Sequence, residues 1–343
     1  MKKTILLLSV LLVCCAGCRR RGSSATYTQK AFIFNVPAMV RVYGPDAAEG
    51  KELADEIFAE WNRIAGELSY SDNYSLTSLV NKKAAAEWVP VTSEFLRLLI
   101  LALDYSRITE GAFDITFAPL WPLWKEAASN KRLPSKEAIE KALLQMGYGK
   151  IQVDVVKKRV HFTAPVQINL GGLLRGYCFE RAFKMLKEKA PPFPVQLRLG
   201  GNTLVYGDRN WRYRVPDPSS RTKIFGRFRF REGLVMSSSG RDVFVKIEGK
   251  LYSHILDLRT GYPIKDFSSL TVYYPSLDND SSLVSAALAV MGREKAFKFL
   301  SGIKGTAAVW VDGAGKPHYL LNPDSKVQWE ADMGMFNGIM PGG

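Results

Sequence analysis

The sequence predicts an α+β fold in which mixed or antiparallel sheets carry packed helices. Segments of helical apolar period alternate with strand signals. The strand signals come as hairpins joined by short polar turns. No strict strand–helix–strand alternation runs along the chain, which disfavours a doubly wound parallel sheet. The chain has 343 residues, 47% hydrophobic and 23% charged. That is ordinary globular composition, and the length suffices for a large core without disulfides.

The elements follow in order. Phe32–Tyr43, rich in Val and aromatics, reads as a strand. Leu53, Ile57, Phe58, Trp61, Ile64 and Leu68 share one face and predict an amphipathic helix over 51–68. Trp88–Val91 is extended. Thr92 or Ser93 caps a helix running to about Thr109, before Gly111. Ser135–Met146 reads as a helix between Pro134 and Gly147. Ile151–Val156 and Arg159–Phe162 flank Lys157-Lys158 as a hairpin, and Val166–Leu170 reads as a strand entering Gly171-Gly172 and a helix to about Lys189. Short strands and turns fill 195–272. In one of them Arg227, Arg229 and Arg231 alternate with Phe228 and Phe230, which predicts Phe inward and Arg in water. Ser281–Leu300 reads as one helix. Ala307–Val311 and His318–Leu321 form a last hairpin around Asp312-Gly313-Ala314-Gly315.

The N-terminus carries targeting information. Met1-Lys2-Lys3 is basic, an apolar run follows, and Ala16-Gly17-Cys18 closes it. The run is shorter than the roughly 20 residues of a membrane span and reads as a signal peptide. Its end resembles a bacterial lipoprotein box, in which the Cys after cleavage is acylated; Cys15 stands where that pattern usually has Leu. The chain thus divides into a signal peptide (1–17), a lipid-anchored tether (18–30), one domain (31–325) and a C-terminal tail (326–343). The expected location is extracytoplasmic, anchored to a membrane. Of the four cysteines, Cys178 alone then remains as a free thiol, and it reads as a small buried hydrophobe. The formal charge is +14, with Arg19-Arg20-Arg21 beside the lipidation site as a second membrane signal. Export removes nucleic acid as a partner.

Phosphate-loop, dinucleotide-fold and zinc-protease motifs are absent, and the three histidines, His161, His254 and His318, lie far apart. Three segments carry chemistry instead. Asn169–Tyr177 brings two glycines to a helix N-terminus, where free N–H groups and Arg175 suit a phosphate. Tyr252–Pro263 places His254, Asp257 and Arg259 before a Gly/Pro turn. Gly111–Thr116 presents Asp114 just after a helix. Each segment alone is equally a polar turn without a ligand.

Together the segments resemble the ApbE family of exported FAD:protein FMN transferases. Leu68-Ser69, Ser75 and Asn81 fit its first loop, and Gly111–Thr116 its Gly-Ala-Phe-Asp-x-Thr. Asn169–Tyr177 fits Asp-Leu-Gly-Gly-Ile-Ala-Lys-Gly-Tyr, Leu199–Asn202 fits Leu-Gly-Gly-Asp, and Ser238–Gly240 fits Thr-Ser-Gly. His254–Pro263 fits His-Ile-Ile-Asp-Pro-Arg-Thr-Gly-x-Pro. The resemblance implies transfer of FMN from FAD to a Ser or Thr hydroxyl of an acceptor flavoprotein, with AMP leaving and Mg²⁺ on the pyrophosphate. It implies that Ala112, Phe113, Asp114 and Leu256 contact FAD, that Asn169 and Arg175 flank flavin and pyrophosphate, and that the Gly172 carbonyl faces the metal. His254 and Asp257 are the implied catalytic pair, with His254 as general base or acceptor-positioning group.

Departures from the pattern are concentrated at the metal. Where the family carries Asp-x-x-x-Thr, this chain has Ser282 and Ala286, with Asp278 and Asp280 just upstream. Asn169 replaces an Asp and Arg175 a Lys. The alternative reading is a degenerate, non-catalytic flavin-binding lipoprotein, or an FAD hydrolase, on the same fold. Replacing Cys18 with Ser is expected to release the protein from membranes or leave it unprocessed. Fractionation showing the variant in membranes like the wild type contradicts the lipoprotein reading.

Overall fold

A computed structural model of the chain describes residues 27–44, 46–220, 222–240, 244–247, 249–277 and 285–332. Its frame is an eight-stranded sheet in which every neighbouring pair is antiparallel. In spatial order the strands are Tyr27–Ile33, Val36–Val42, Val195–Leu199, Asn202–Tyr206, Gly233–Ser239, Phe267–Tyr274, Ala307–Asp312 and Pro317–Leu321. The α+β expectation holds.

Two long helices cover one face of the frame. Ala47–Leu68 is capped by Asp46, whose carboxylate accepts from Ala48 N, and buries the expected apolar face. Gly171–Lys189 packs against it, and the fully buried Trp61 indole donates to the Cys178 carbonyl at 2.8 Å. Cys178 is buried, and desolvation pushes its thiol pKa up, as an inert core thiol requires. Three helices also meet through charge. Arg63 donates to Glu60 at 2.8 Å and to both oxygens of Glu94, Arg181 donates to Glu60 at 2.7 Å, and the Tyr177 hydroxyl donates to Glu94. The opposite face of the frame carries a small sheet, Trp211–Pro216, Ile224–Phe230 and Gln328–Ala331. Phe228, Phe230, Tyr273, Val309 and Val205 form the core between the two sheets, so Phe228 and Phe230 point inward as expected. A third cluster around Leu120, Trp124, Ile139 and Leu256 underlies the turn at Gly261.

Several expectations are corrected. The strand expected over Phe32–Tyr43 is a hairpin, because Phe34 (φ 52°) and Asn35 (φ 60°) both turn left-handed, and its first strand takes in residues 27–30 of the expected tether. Val166–Leu170 is not a strand. Asn81 satisfies its backbone instead, accepting from Ile168 N at 2.8 Å and donating to Ile168 O at 2.9 Å. The single helix expected over Ser281–Leu300 is two, Ser285–Met291 and Arg293–Ser301, broken at Gly292 with φ 80°. Gln328–Ala331, within the expected tail, pairs with Ile224–Phe230. Helices Leu76–Lys83 and Leu120–Asn130 escape the sequence reading.

The helix–helix charge network yields a pH prediction. Hydrogen bonding from Arg63, then from Arg181, outweighs desolvation and holds the Glu60 carboxyl at about 2, against its ordinary 4.5. A carboxyl depressed by folding stabilises the native state above its unfolded pKa, and that stability is lost as pH falls. Thermal midpoints measured against pH should therefore decline from about pH 4.5 towards about 2 in the wild type. Glu60→Gln should have a lower midpoint at neutral pH and a flatter profile through that window. Parallel profiles contradict the assignment.

Candidate active site

The Gly111–Thr116 turn lies at the centre of the site. It follows the helix Ser93–Ile108, and Glu110 (φ 53°) and Gly111 (φ 80°) reverse the chain. Asp114 is buried. Its Oδ1 accepts from Thr116 N at 2.8 Å and Thr116 Oγ1 at 2.7 Å, and its Oδ2 accepts from Tyr148 N at 3.0 Å. Thr116 Oγ1 in turn accepts from Gly147 N at 2.8 Å. Burial pushes the Asp114 carboxyl above its usual range, against these hydrogen bonds. Asp114 thus ties the turn to residues 147–148. Ala112 and Phe113 are buried in the main core, so a ligand at this turn meets their backbone rather than their side chains.

The turn joins both other segments through the backbone. Asn169 N donates to Ile115 O at 2.7 Å, and Leu258 N donates to Ala112 O at 3.4 Å. Sequence segments more than fifty residues apart therefore converge here, as the motif reading requires.

In the second segment the Asn169 side chain accepts from Gly171 N at 2.8 Å, an Asx turn that leads into the helix one residue before its cap, Leu170. Gly172 is needed for closeness, since a Cβ there would stand 3.2 Å from Phe113 Cε2. Arg175 is exposed and makes no hydrogen bond or ion pair among the described residues. Its guanidinium lies over the Leu199–Asn202 turn, Nη1 3.7 Å from where a Gly200 Cβ would be. Crowding by protein lowers its pKa, but with one side open to water it stays a cation. The turn below it is held by Asn202, whose Oδ1 accepts from Ser237 N at 3.1 Å.

In the third segment His254 is exposed, between Ser253 and the buried Ile255. Leu256 is buried in the third core cluster, again leaving its backbone for a ligand. The Asp257 carboxylate is engaged: it accepts from Arg259 N at 3.0 Å, Nε at 2.9 Å and Nη2 at 2.7 Å. Desolvation raises its pKa, yet these bonds leave the carboxyl below the usual range. Its carbonyl accepts from Thr260 N and Gly261 N, so Asp257 shapes the turn. Gly261 has φ 74°, and a Cβ would meet Ile139 Cγ2 at 2.6 Å; Trp124 Nε1 donates to its carbonyl at 2.8 Å. Sequence reasoning singled out Asn81 and Arg259 within their motifs without these partners, and missed Tyr148 and Trp124 as supports. A backbone N–H such as that of Tyr148 leaves no trace in residue type.

Cys18 and Ser282 lie outside the described residues, as do Asp278 and Asp280. Among the described residues no group of three His, Cys, Asp or Glu side chains is placed to hold a metal ion.

The fold has counterparts among known proteins. A crystal structure of a Thermotoga maritima ApbE protein superimposes with TM-score 0.76 and 27% identity, over 87% of this chain and 97% of that one. The flavin transferase ApbE from Vibrio cholerae shares the fold, with TM-score 0.72 and 19% identity, over 87% and 97%. The FAD:protein FMN transferase of Treponema pallidum (strain Nichols) is 24% identical over 327 residues, 88% of this chain and 89% of that protein. The one of Klebsiella pneumoniae (strain 342) is 25% identical over 263 residues, 76% and 81%. The ApbE family model matches residues 34–310, a span that holds all three site segments, and the chain belongs to the ApbE family.

Proposed function

We propose that this protein is an FAD:protein FMN transferase, moving FMN from FAD to a Ser or Thr hydroxyl of an acceptor flavoprotein, from a lipid anchor at Cys18. The observation that carries this reading is the backbone-bonded convergence of Gly111–Thr116, Asn169–Gly176 and His254–Pro263. The names of its relatives support the same chemistry.

FAD as substrate lies with its pyrophosphate between Arg175 and the first turn of the Gly171–Lys189 helix, where the guanidinium and the positive end of the helix meet phosphate charge. The acceptor hydroxyl oxygen attacks the phosphorus of the FMN half. The bond from that phosphorus to the bridging oxygen breaks, and AMP leaves with the electron pair. The hydroxyl proton passes to a base, the role given to the exposed His254. Asp257 positions the segment through Arg259. What the chain contributes is orientation and charge complementarity, the main means of catalysis in phosphoryl transfer.

Mg²⁺, when bound, neutralises charge on the pyrophosphate. The described donors do not form a set for it: Asp114 and Asp257 are taken up by Thr116, Tyr148 and Arg259, which leaves the Gly172 carbonyl. Ser282 and Ala286 add no carboxylate where the family pattern has one.

Incubation with FAD, Mg²⁺ and a candidate acceptor, followed by mass measurement, should show addition of FMN to the acceptor. His254→Ala should slow transfer by about 10²–10⁴-fold while FAD affinity holds. Flavin binding with no transfer to any acceptor favours the non-catalytic alternative. Asp114→Ala should strand buried donors of Thr116 and Tyr148, costing about 1–3 kcal/mol of stability and weakening FAD binding. Equal FAD affinity by titration contradicts that role. In calorimetry, tight Mg²⁺ binding should need FAD, and Ser282→Asp with Ala286→Thr should strengthen it. Tight binding without FAD, abolished by Asp280→Ala, overturns the incomplete-site reading.

A further inference from the structure

The small sheet on the far face carries an unusual charge pattern. Arg212 stands directly opposite Arg229, and Arg214 opposite Arg227, in the antiparallel register of Trp211–Pro216 and Ile224–Phe230. All four lie on the side away from Phe228 and Phe230. Like charges directly opposite on neighbouring strands destabilise a sheet. Within the three strands the one carboxylate is Glu330, 3.0 Å from Arg229. Folding alone gives no reason to keep such a grid.

The grid runs on into a cleft of about 510 Å³ where the small sheet meets the frame. Arg41, Arg209, Arg212 and Arg229 line it, and no carboxylate does among the described residues. Tyr43 and Trp211 form its aromatic floor, with the Arg209 guanidinium 4.0 Å from the Tyr43 ring centre and 5.2 Å from that of Trp211.

The position of the cleft indicates the occupant. Arg41 pairs in register with Thr28, and its Nε donates to Thr28 Oγ1 at 3.3 Å. Thr28 is ten residues after Cys18, a reach of at most about 35 Å. The chain from the proposed lipid anchor therefore enters the domain at the edge of the arginine cleft. We infer that the arginine face of the small sheet docks on an anionic phospholipid surface, so that the domain lies against the membrane in a fixed orientation. This inference rests on the membrane-anchor part of the proposed function and is independent of the transfer chemistry. The same strand contributes to both faces: Tyr213, between Arg212 and Arg214, donates to the Gly201 carbonyl at 3.3 Å, in the turn beneath Arg175.

The test uses the mature chain, residues 18–343 made without the signal peptide and carrying Cys18→Ser, which removes both the lipid and the apolar leader and keeps Arg19–Arg21. Sedimentation with phosphatidylglycerol–phosphatidylcholine vesicles should show binding that weakens with salt, and phosphatidylcholine alone should not bind. Adding Arg212→Gln, Arg214→Gln and Arg227→Gln together should lower the partition coefficient at least tenfold, since each arginine near an anionic surface contributes about fivefold. The thermal midpoint of this variant should be equal or higher, because the like-charged pairs are relieved. Lys at the same three positions should retain binding. Unchanged vesicle binding by the Gln variant assigns the effect to Arg19–Arg21 and overturns the inference. Equal binding to both vesicle types, loss of binding in the Lys variant, or binding of inorganic phosphate or a short DNA duplex without vesicle binding also overturns it. Flavin takes no part in these readouts, so their failure is separate from failure of the transferase reading.

Discussion

A buried carboxylate cannot be left unsolvated, and that constraint organises the site. Asp114 sits below the surface, so the chain around it must provide hydrogen-bond donors. Thr116 provides two and Tyr148 the third. To do so the Gly111–Thr116 turn must close against residues 147–148. Once closed, it offers Ile115 O to Asn169 and Ala112 O to Leu258. The glycine turn and the His254 segment are thereby hung on one rigid loop. The eight-stranded frame supports the arrangement from below, carrying the Leu199–Asn202 turn over which Arg175 lies.

The elements legible in the sequence were those fixed by local chemistry. The cap at Thr92, one of the two residues expected there, the helix that begins beside Ser135 and the apolar stripe of Ala47–Leu68 are decided within a few residues, and the structure has them. The failures came where distant groups decide. Val166–Leu170 has strand composition, yet its partner is the amide of Asn81 rather than another strand. Phe34-Asn35 turns the chain although only the Asn is a common left-handed residue. The Ser285–Ser301 region breaks at Gly292, whose positive φ no apolar period reveals.

The site shows the same division. Motif residues were found from their types, but their roles shift once their neighbours are known. Asp114 and Asp257 were expected at ligand and catalytic positions, and the structure occupies both carboxylates internally, with Thr116 and Tyr148 for one and Arg259 for the other. Ala112, Phe113 and Leu256 have buried side chains, so their value to a ligand is in the backbone they hold in place. Arg175 moves the other way. Its type announced a phosphate partner, and the structure leaves its guanidinium without a protein partner among the described residues, over a glycine turn that keeps the space beside it open. An uncompensated cation in such a position favours a ligand that brings negative charge.

The central claim is that FAD lies across this loop-borne cradle with its pyrophosphate at Arg175 and the start of the Gly171–Lys189 helix. A crystal structure of the protein with FAD bound is its most direct test. Pyrophosphate oxygens are expected within hydrogen-bond distance of the Arg175 guanidinium and beside the Gly171–Gly172 start of the helix. A dinucleotide seated elsewhere, above all in the arginine cleft between Arg41 and Arg229, would contradict it.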